Sequence, residues 1–270
     1  MTVLLLHGLG GSRQDALDLF GPIVPAGTHV VALDARAHGD DDRLGAAAEF
    51  TLDALAGDVA SRVLDEQAAA GRIGEPVTVI GISMGAAIAL RLALASSSST
   101  ASASASPRVP GVLPLERAVF VRPAFTDEPL PSNLVAFPVI GELLADHGAV
   151  EGEAIFRQSA LYADVREESR LGAEGLLAQF RSPRAAERAR RLIEIPRNAA
   201  FGDGESLAAI TIPTAIVWAP RDPVHPVSVA ELWMDELAGA ASIPLPARDD
   251  GYSEYVATAR GGVSAWLGWG

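Results

Sequence analysis

The sequence predicts an α/β protein with a mostly parallel sheet, flanking helices and a helical cap over one edge of that sheet. Short apolar runs alternate with longer helical segments, which is typical of parallel strands joined by crossover helices. A glycine-rich turn, GISMG at residues 81–85, joins one apolar run to an alanine-rich segment. A long helical segment then interrupts the alternation, which favours an insert into one α/β domain.

The alternation of the chain predicts where the strands and core helices lie. The predicted strands are residues 3–6, 30–33, 77–80, 118–121, 214–218 and 242–245. The predicted core helices are residues 52–70, 84–95 and 255–267. In the first of these helices, apolar residues recur close to helical spacing, at Leu52, Leu55, Val59, Val63 and Leu64.

The domain organisation follows from the places where this alternation breaks. Residues 1–123 and 210–270 are expected to form the α/β core. Residues 124–209, which are rich in Glu, Arg and Ala, are expected to form a helical cap over the edge where the catalytic loops gather. A second lobe without contact to the site is the alternative for this insert. Residues 96–106 are a run of Ser, Ala and Thr and are predicted to be a flexible surface loop.

The turn at residues 81–85 has the pattern of a nucleophile elbow. A strand, a sharp turn and a helix around Gly-x-Ser-x-Gly hold the serine in a strained backbone conformation. A side chain at Gly81 or Gly85 would collide with the neighbouring strand or helix. The turn exposes the Ser83 hydroxyl and leaves the Met84 N–H at a helix N-terminus, where it can stabilise an oxyanion. Ser83 is therefore the predicted nucleophile, and a glycine-rich turn with an incidental serine is the alternative.

The composition narrows the classes of function. The formal net charge of −13 argues against nucleic acid and anionic membranes as partners, and a small-molecule substrate is expected instead. The chain contains no cysteine and no lysine, which excludes a thiolate nucleophile, a cysteine metal site and a lysine Schiff base. No apolar run is long enough to span a membrane, and the apolar start is too short for a signal peptide. A soluble cytoplasmic protein is therefore expected.

Four motifs, in order along the chain, resemble those of the α/β-hydrolase superfamily. They are LLLHGLGG at 4–11, DARAHG at 34–39, the elbow at 81–85 and WAPRDPV at 218–224. The resemblance implies an α/β-hydrolase fold over nearly the whole chain, with the N-terminal strands of the sheet shortened. It also implies that Leu9 donates an N–H to the oxyanion hole and that Asp222 is the acid of a catalytic triad. Acyl transfer of this kind needs no metal and no cofactor.

The sequence departs from the family in the position of the catalytic histidine. In the family this histidine follows the last strand, but no histidine occurs after residue 225. A serine hydroxyl is a poor nucleophile unless a positioned base accepts its proton. An aspartate in that place, with an ordinary pKa near ~4, would be a much weaker base than imidazole.

The histidines elsewhere in the chain are therefore candidates for the base. His225 is favoured because it follows Asp222 by three residues, in a loop expected at the catalytic edge. A rigid, solvent-facing turn held by Pro223 and Pro226 is the alternative reading of His225. The other histidines are His7 and His147 as candidate pocket residues, His38 as a structural residue and His29 as an exposed residue.

Other polar residues are also candidates for the pocket. Asp249 and Asp250 stand where the family histidine is expected, and a carboxylate there can bind a cationic substrate or act as an acid or base after burial raises its pKa. A hydrophilic turn is the alternative for these two residues. Tyr252 is a candidate hydrogen-bond donor to the pocket. Asp127, which follows a predicted strand, is the reserve for Asp222.

These features favour a serine hydrolase that acts on a small ester, lactone or related carbonyl compound through an acyl-enzyme at Ser83. One alternative is a degenerate, non-catalytic α/β-hydrolase fold that binds a ligand. Another is a lyase or decarboxylase that uses the same pocket, because a fold does not by itself fix the reaction. The oligomeric state is open, and a free sheet edge would allow a homodimer.

Overall fold

The computed structural model describes residues 1–102, 112–202 and 207–270. Within these residues, six parallel strands form one sheet in the order β2-β1-β3-β4-β5-β6. The strands are β1 (Thr2–Leu6), β2 (His29–Leu33), β3 (Val77–Ile82), β4 (Leu115–Val121), β5 (Thr214–Trp218) and β6 (Ala241–Pro244). The predicted α/β fold with a parallel sheet is confirmed, and each predicted strand overlaps an observed one.

Helices connect these strands. In chain order they are α1 (Arg13–Phe20), α2 (Leu52–Ala69), α3 (Met84–Ser102), α4 (Ala136–Phe156), α5 (Ala160–Glu168), α6 (Arg170–Arg181), α7 (Arg190–Glu194), α8 (Val227–Glu236) and α9 (Tyr252–Leu267). Helices α4 to α7 lie between β4 and β5, inside the segment 124–209. The division of the chain into a core and a cap with those bounds stays a prediction.

The sheet is buried on both faces because the side chains of each strand alternate between two apolar cores. In β1, Val3 and Leu5 belong to one core together with Phe20 of α1. Leu4 and Leu6 belong to the other core, which includes residues of α2, α3 and the helices between β4 and β5. A strand that is buried on both faces needs no polar alternation. This is why β1 appears in the sequence as a continuous apolar run.

The elbow after β3 has the backbone geometry that its glycines predict. Ser83 adopts φ = +54°, a left-handed conformation that is strained for a residue with a side chain. A Cβ on Gly81 would collide with the carbonyl group of Gly85. A Cβ on Gly85 would lie 2.6 Å from the carbonyl oxygen of Leu6 in β1. Both contacts are with backbone atoms, so neither can be relieved by rotating a side chain.

The prediction of a flexible loop at residues 96–106 is wrong for residues 96–102, because α3 continues to Ser102. Lengthening an established helix adds one hydrogen bond for each residue ordered, and alanine favours the helix. The buried first half of α3 can therefore be continued by a Ser/Ala tail that has no apolar periodicity of its own. Residues 103–106 lie outside the described residues.

Strands β2 and β6 form the two edges of the sheet. Pairing of an edge with a second copy in a homodimer stays a prediction, since an open edge permits such pairing without requiring it. The described part of the chain contains no helix with the length and apolarity that a membrane crossing requires.

Replacing Gly85 with alanine is expected to lower the free energy of unfolding by about 3 kcal/mol, because the added methyl group meets fixed backbone atoms. Gly57→Ala is the matched control. Gly57 lies within α2 with open space around it, so alanine there is expected to stabilise the protein by about 0.5–1 kcal/mol. Urea denaturation of both variants measures the difference. Equal stabilities would contradict the steric account of the elbow.

Candidate active site

A cavity of about 730 Å³ lies at the carboxyl edge of the sheet, where the loops after β1, β3 and β5 meet. Those loops contribute Leu9, Ser83 and His225 to its wall. Helices α4 and α6 contribute Phe137 and Gln179, so the segment between β4 and β5 forms part of the wall. The alternative of a lobe without contact to the site is therefore wrong. A cavity of this volume suits a small molecule.

The side chains of Ser83, His225 and Asp222 form one hydrogen-bonded chain. Nε2 of His225 lies 2.9 Å from Oγ of Ser83, and Nδ1 of His225 lies 3.0 Å from Oδ1 of Asp222. Because an ionised carboxylate can only accept, Nδ1 carries the imidazole proton and Nε2 is left free to accept one. This tautomer is the one that an imidazole needs in order to act as the base for a serine.

A short turn allows one loop to supply both the carboxylate and the imidazole. The N–H of His225 donates to the carbonyl oxygen of Asp222 at 3.0 Å and to its Oδ1 at 3.2 Å. Pro226 is the N-cap of α8 and fixes the direction in which the chain leaves the turn. The side chain of His225 is only 9% exposed, so the alternative of a solvent-facing turn is wrong.

The loop after β5 must reach back across β4 to meet Ser83, because β4 separates β5 from β3. Neighbouring strands lie ~5 Å apart, so the loop spans about 10 Å. Asn133 holds it in place by donating from Nδ2 to the carbonyl oxygens of Ala124 at 2.9 Å and Val224 at 2.8 Å. This amide ties the loop after β4 to the loop that contains His225. No sequence motif marks Asn133 for that role.

Asp222 is held as a carboxylate although its side chain is only 4% exposed. Burial acts to raise the pKa of Asp222, but its electrostatic interactions with His225 and with Arg122, including the hydrogen bond to the imidazole, outweigh burial and hold that pKa well below its usual range. Nη1 of Arg122 donates to Oδ2 of Asp222 at 2.9 Å. Each oxygen of the carboxylate therefore has its own partner, and its orientation toward the imidazole is fixed.

Burial lowers the pKa of His225 below its ordinary value of 6.5. The charge of Asp222 acts to raise this pKa, whereas the charges of Arg122 and Arg248 act with burial to lower it. The imidazole is therefore neutral near neutral pH, which is the state able to accept the proton of Ser83.

Two backbone N–H groups beside Ser83 have the freedom that an oxyanion hole requires. Among the described residues, the N–H groups of Leu9 and Met84 donate to no protein acceptor. The loop that contains Leu9 runs close to the elbow, since a Cβ on Gly8 would lie 3.4 Å from the Cβ of Ser83. The role of these N–H groups in binding an oxyanion stays a prediction.

Two histidines predicted as pocket residues lie elsewhere. His7 is buried, with Nδ1 2.7 Å from the carbonyl oxygen of Gly8 and Nε2 accepting from the N–H of Ala35 at 3.0 Å. Both of its ring nitrogens are occupied, so it joins two loops and has no nitrogen left for a substrate. His147 is exposed on α4, where it pairs with Glu151. Neither histidine is among the described residues that line the cavity.

The residues after β6 divide between the cavity and the surface. Asp249 accepts from Oγ of Ser169 at 2.5 Å and from a backbone N–H of α6 at 3.0 Å, so it anchors the start of that helix. Asp250 pairs with Arg221 at the surface. The prediction that these aspartates line the pocket is wrong, because neither is among the described residues of the cavity wall. Tyr252 does line the cavity.

The reserve acid Asp127 is exposed, and Asp222 occupies the position beside His225 that it would have filled. Among the described residues, no group of three His, Cys, Asp or Glu side chains is arranged to hold a metal ion.

Two residues of the cavity wall, Arg248 and Gln179, are not identified by any sequence motif. Gln179 lies on α6 with its Oε1 buried and without a hydrogen-bond partner among the described residues. Helical periodicity cannot tell whether a buried polar residue faces a cavity or the core, so Gln179 gave no signal. Arg248 lies in the stretch where the family histidine is expected, and a charged residue in that place was the available signal.

Comparison with known proteins identifies the family. Residues 3–262 match the Alpha/beta hydrolase family, and the chain therefore belongs to that family. A comparison with curated proteins gives no match.

Solved structures with a similar fold include two hydrolases of named source. A hydrolase from Pseudomonas aeruginosa PA01 is 21% identical, with 99% of this chain and 89% of that chain covered and a TM-score of 0.66. An esterase from Exiguobacterium antarcticum is 16% identical, with 98% of this chain and 92% of that chain covered and a TM-score of 0.62. At these identities the likeness concerns the fold alone.

Replacing Asp222 with asparagine is expected to lower the free energy of unfolding at pH 7 by about 3 kcal/mol, because it leaves the charge of Arg122 buried without its partner. The pKa of Asp222 is lower in the folded state than in the unfolded state. The ionised carboxylate therefore contributes its full stabilisation above the pKa of the unfolded state, and this contribution is lost as pH falls toward the pKa of the folded state. The difference between wild type and variant is therefore expected to shrink below pH ~4.

Chemical denaturation at several pH values measures this effect, with Asp127→Asn as the control. Asp127 is exposed, so its substitution is expected to change stability by less than about 0.5 kcal/mol. A difference for Asp222→Asn that does not depend on pH would rule out the ionic explanation.

Proposed function

We propose that this protein is a serine hydrolase that cleaves a small ester, lactone or related carbonyl compound through an acyl-enzyme at Ser83. The proposal rests on one observation: His225 lies 2.9 Å from Oγ of Ser83 and 3.0 Å from Oδ1 of Asp222, in the wall of a cavity. Membership of the α/β hydrolase family supports it.

Acylation begins when Oγ of Ser83 attacks the carbonyl carbon and its proton passes to Nε2 of His225. Asp222 stabilises the imidazolium through the hydrogen bond to Nδ1. The carbonyl oxygen becomes an oxyanion, which the N–H groups of Leu9 and Met84 bind. The tetrahedral intermediate then collapses, the bond to the alcohol breaks, and the alcohol takes the proton from Nε2.

Deacylation uses the same groups with water as the nucleophile. His225 accepts a proton from the water while the oxygen of the water attacks the acyl carbon. The second tetrahedral intermediate breaks its bond to Oγ of Ser83, which regains its proton from Nε2. The products are a carboxylic acid and the free enzyme.

Two features favour the alternative of a degenerate binding protein: the lack of a histidine after the last strand and the net charge of −13. The hydrogen bond between His225 and Ser83 argues against this alternative, because it supplies the base that the first feature lacks. A lyase or decarboxylase would use the same cavity, and analysis of the products distinguishes it from a hydrolase. Hydrolysis is favoured because the hydroxyl of Ser83 is already hydrogen-bonded to a base, the imidazole of His225.

Labelling with a fluorophosphonate probe tests Ser83, and hydrolysis of 4-nitrophenyl acetate tests the triad. Ser83→Ala is expected to abolish labelling, and both Ser83→Ala and His225→Gln are expected to lower kcat by about 10³-fold or more. His147→Gln is the matched control, because His147 is an exposed histidine away from the cavity wall, and it is expected to keep full activity. Labelling that persists in Ser83→Ala would exclude Ser83 as the nucleophile.

The pH dependence of kcat/KM is expected to have its acid limb below pH 6.5, because burial lowers the pKa of His225. Protonation of His225 removes the base, so activity falls as pH drops through that pKa and is retained above it. The charge of Arg248 contributes to lowering this pKa, so Arg248→Gln is expected to move the limb to higher pH. A pH–rate profile with an uncharged ester measures the acid limb in the wild type and in Arg248→Gln. An acid limb above about pH 7 in the wild type would contradict the assignment of this limb to a buried His225 with a lowered pKa.

A further inference from the structure

The arginines that line the cavity differ in the partners of their guanidinium groups. Arg122 is bonded to Asp222, and Arg260 donates to the backbone carbonyl oxygens of Leu19 and Asp18. Arg248 also lines the cavity, and among the described residues no carboxylate lies within ion-pair distance of its guanidinium. Among the described residues, Arg248 is therefore the arginine of the cavity wall whose guanidinium has neither a hydrogen-bond acceptor nor an ion-pair partner.

The carboxylates that follow Arg248 in the chain are both engaged elsewhere. Asp249 is bonded to Ser169 and to the start of α6, and Asp250 pairs with Arg221. The guanidinium of Arg248 instead lies 5.8 Å from the centre of the Tyr252 ring. A cation–π contact offsets only part of the cost of removing a guanidinium from water.

The direction in which the pKa of Arg248 is shifted agrees with this cost. Burial, followed by the charge of Arg122, lowers the pKa of Arg248 from its ordinary value. Its charge also acts on the pKa of His225, so the guanidinium is electrostatically coupled to the triad. An unpaired arginine in a cavity wall beside a nucleophile is suited to hold an anionic group of the ligand.

We infer that Arg248 binds a carboxylate of the substrate, so that the preferred substrate is a small ester or lactone whose acyl group carries a second, ionised carboxyl group. This inference rests on the proposed function and names the substrate class. The planar guanidinium presents parallel N–H donors that match the two oxygens of a carboxylate. Asp15 and Asp18 also line the cavity and disfavour a dianion, so a monoanionic carboxylate fits better than a phosphate.

The test compares two esters of equal chain length, 4-nitrophenyl hydrogen adipate, which is an anion, and its neutral methyl ester. The wild type is expected to prefer the anion in kcat/KM at pH 8. Arg248→Gln is expected to lower the ratio of anionic to neutral kcat/KM by about tenfold or more, since one charge-assisted bond is lost. Arg248→Lys keeps the positive charge but lacks the two parallel N–H donors of a guanidinium, so it is expected to keep part of the preference for the anionic ester.

Arg166→Gln is the matched control for the loss of one positive charge. Arg166 is exposed on α5 and is not among the described residues of the cavity wall. In Arg166→Gln, the ratio of anionic to neutral kcat/KM is therefore expected to stay within twofold of the wild-type ratio. A ratio for Arg248→Gln equal to that of the wild type, with both esters still hydrolysed, would overturn the inference and leave the proposed function standing.

Calorimetric titration of Ser83→Ala with monomethyl adipate, which carries one carboxylate, separates the two proposals. Monomethyl adipate is expected to bind Ser83→Ala and to bind at least tenfold more weakly when Arg248→Gln is added. If neither 4-nitrophenyl ester is hydrolysed but this loss of binding is found, the carboxylate site stands and the hydrolase proposal fails. If monomethyl adipate binds equally with and without Arg248, or does not bind at all, the carboxylate site is overturned.

Discussion

The hydrogen bond between Nδ1 of His225 and Oδ1 of Asp222 is the interaction on which the site depends. It selects the tautomer that leaves Nε2 free, and it aims the ring at Oγ of Ser83. Both partners lie in one turn, so their relative position is set by local geometry, which the two prolines around His225 restrict further. The long-range requirement is then only that this turn be held beside the elbow, and Asn133 helps to hold it there.

Because the loop after β5 supplies the imidazole, the segment after β6 does not have to supply a histidine. In the α/β-hydrolase pattern that the sequence resembles, the segment after the last strand supplies the histidine. Here that segment supplies Arg248 and Tyr252 to the cavity wall, and Asp249 to the anchoring of α6. The loop after β5 thus supplies both the carboxylate and the imidazole, while the segment after β6 supplies cavity-wall residues and an anchor for α6.

Buried charge explains the arrangement of the remaining polar groups. A buried carboxylate is stable only with charged or hydrogen-bonding partners, and Arg122 and the turn of His225 provide them for Asp222. The same reasoning sets Arg248 apart, because none of the described carboxylates lies within ion-pair distance of its guanidinium. An arginine without such a partner, in the wall of the cavity that contains Ser83, is the feature from which the anion site is inferred.

The sequence alone determined the strands, the core helices α2, α3 and α9, and the elbow, because apolar period, glycine position and turn chemistry act over a few neighbouring residues; it did not predict α1 or α8. It also predicted that Ser83, Asp222 and His225 lie together, through motif order and a separation of three residues, and the structure brings these side chains into one hydrogen-bonded chain. Tertiary structure decided the rest. Both ring nitrogens of His7 are hydrogen-bonded to backbone groups. His147, Asp249 and Asp250 are not among the described residues of the cavity wall, whereas Gln179 and Arg248 are. The direction of such side chains depends on contacts between residues far apart in the chain, and no local pattern encodes those contacts.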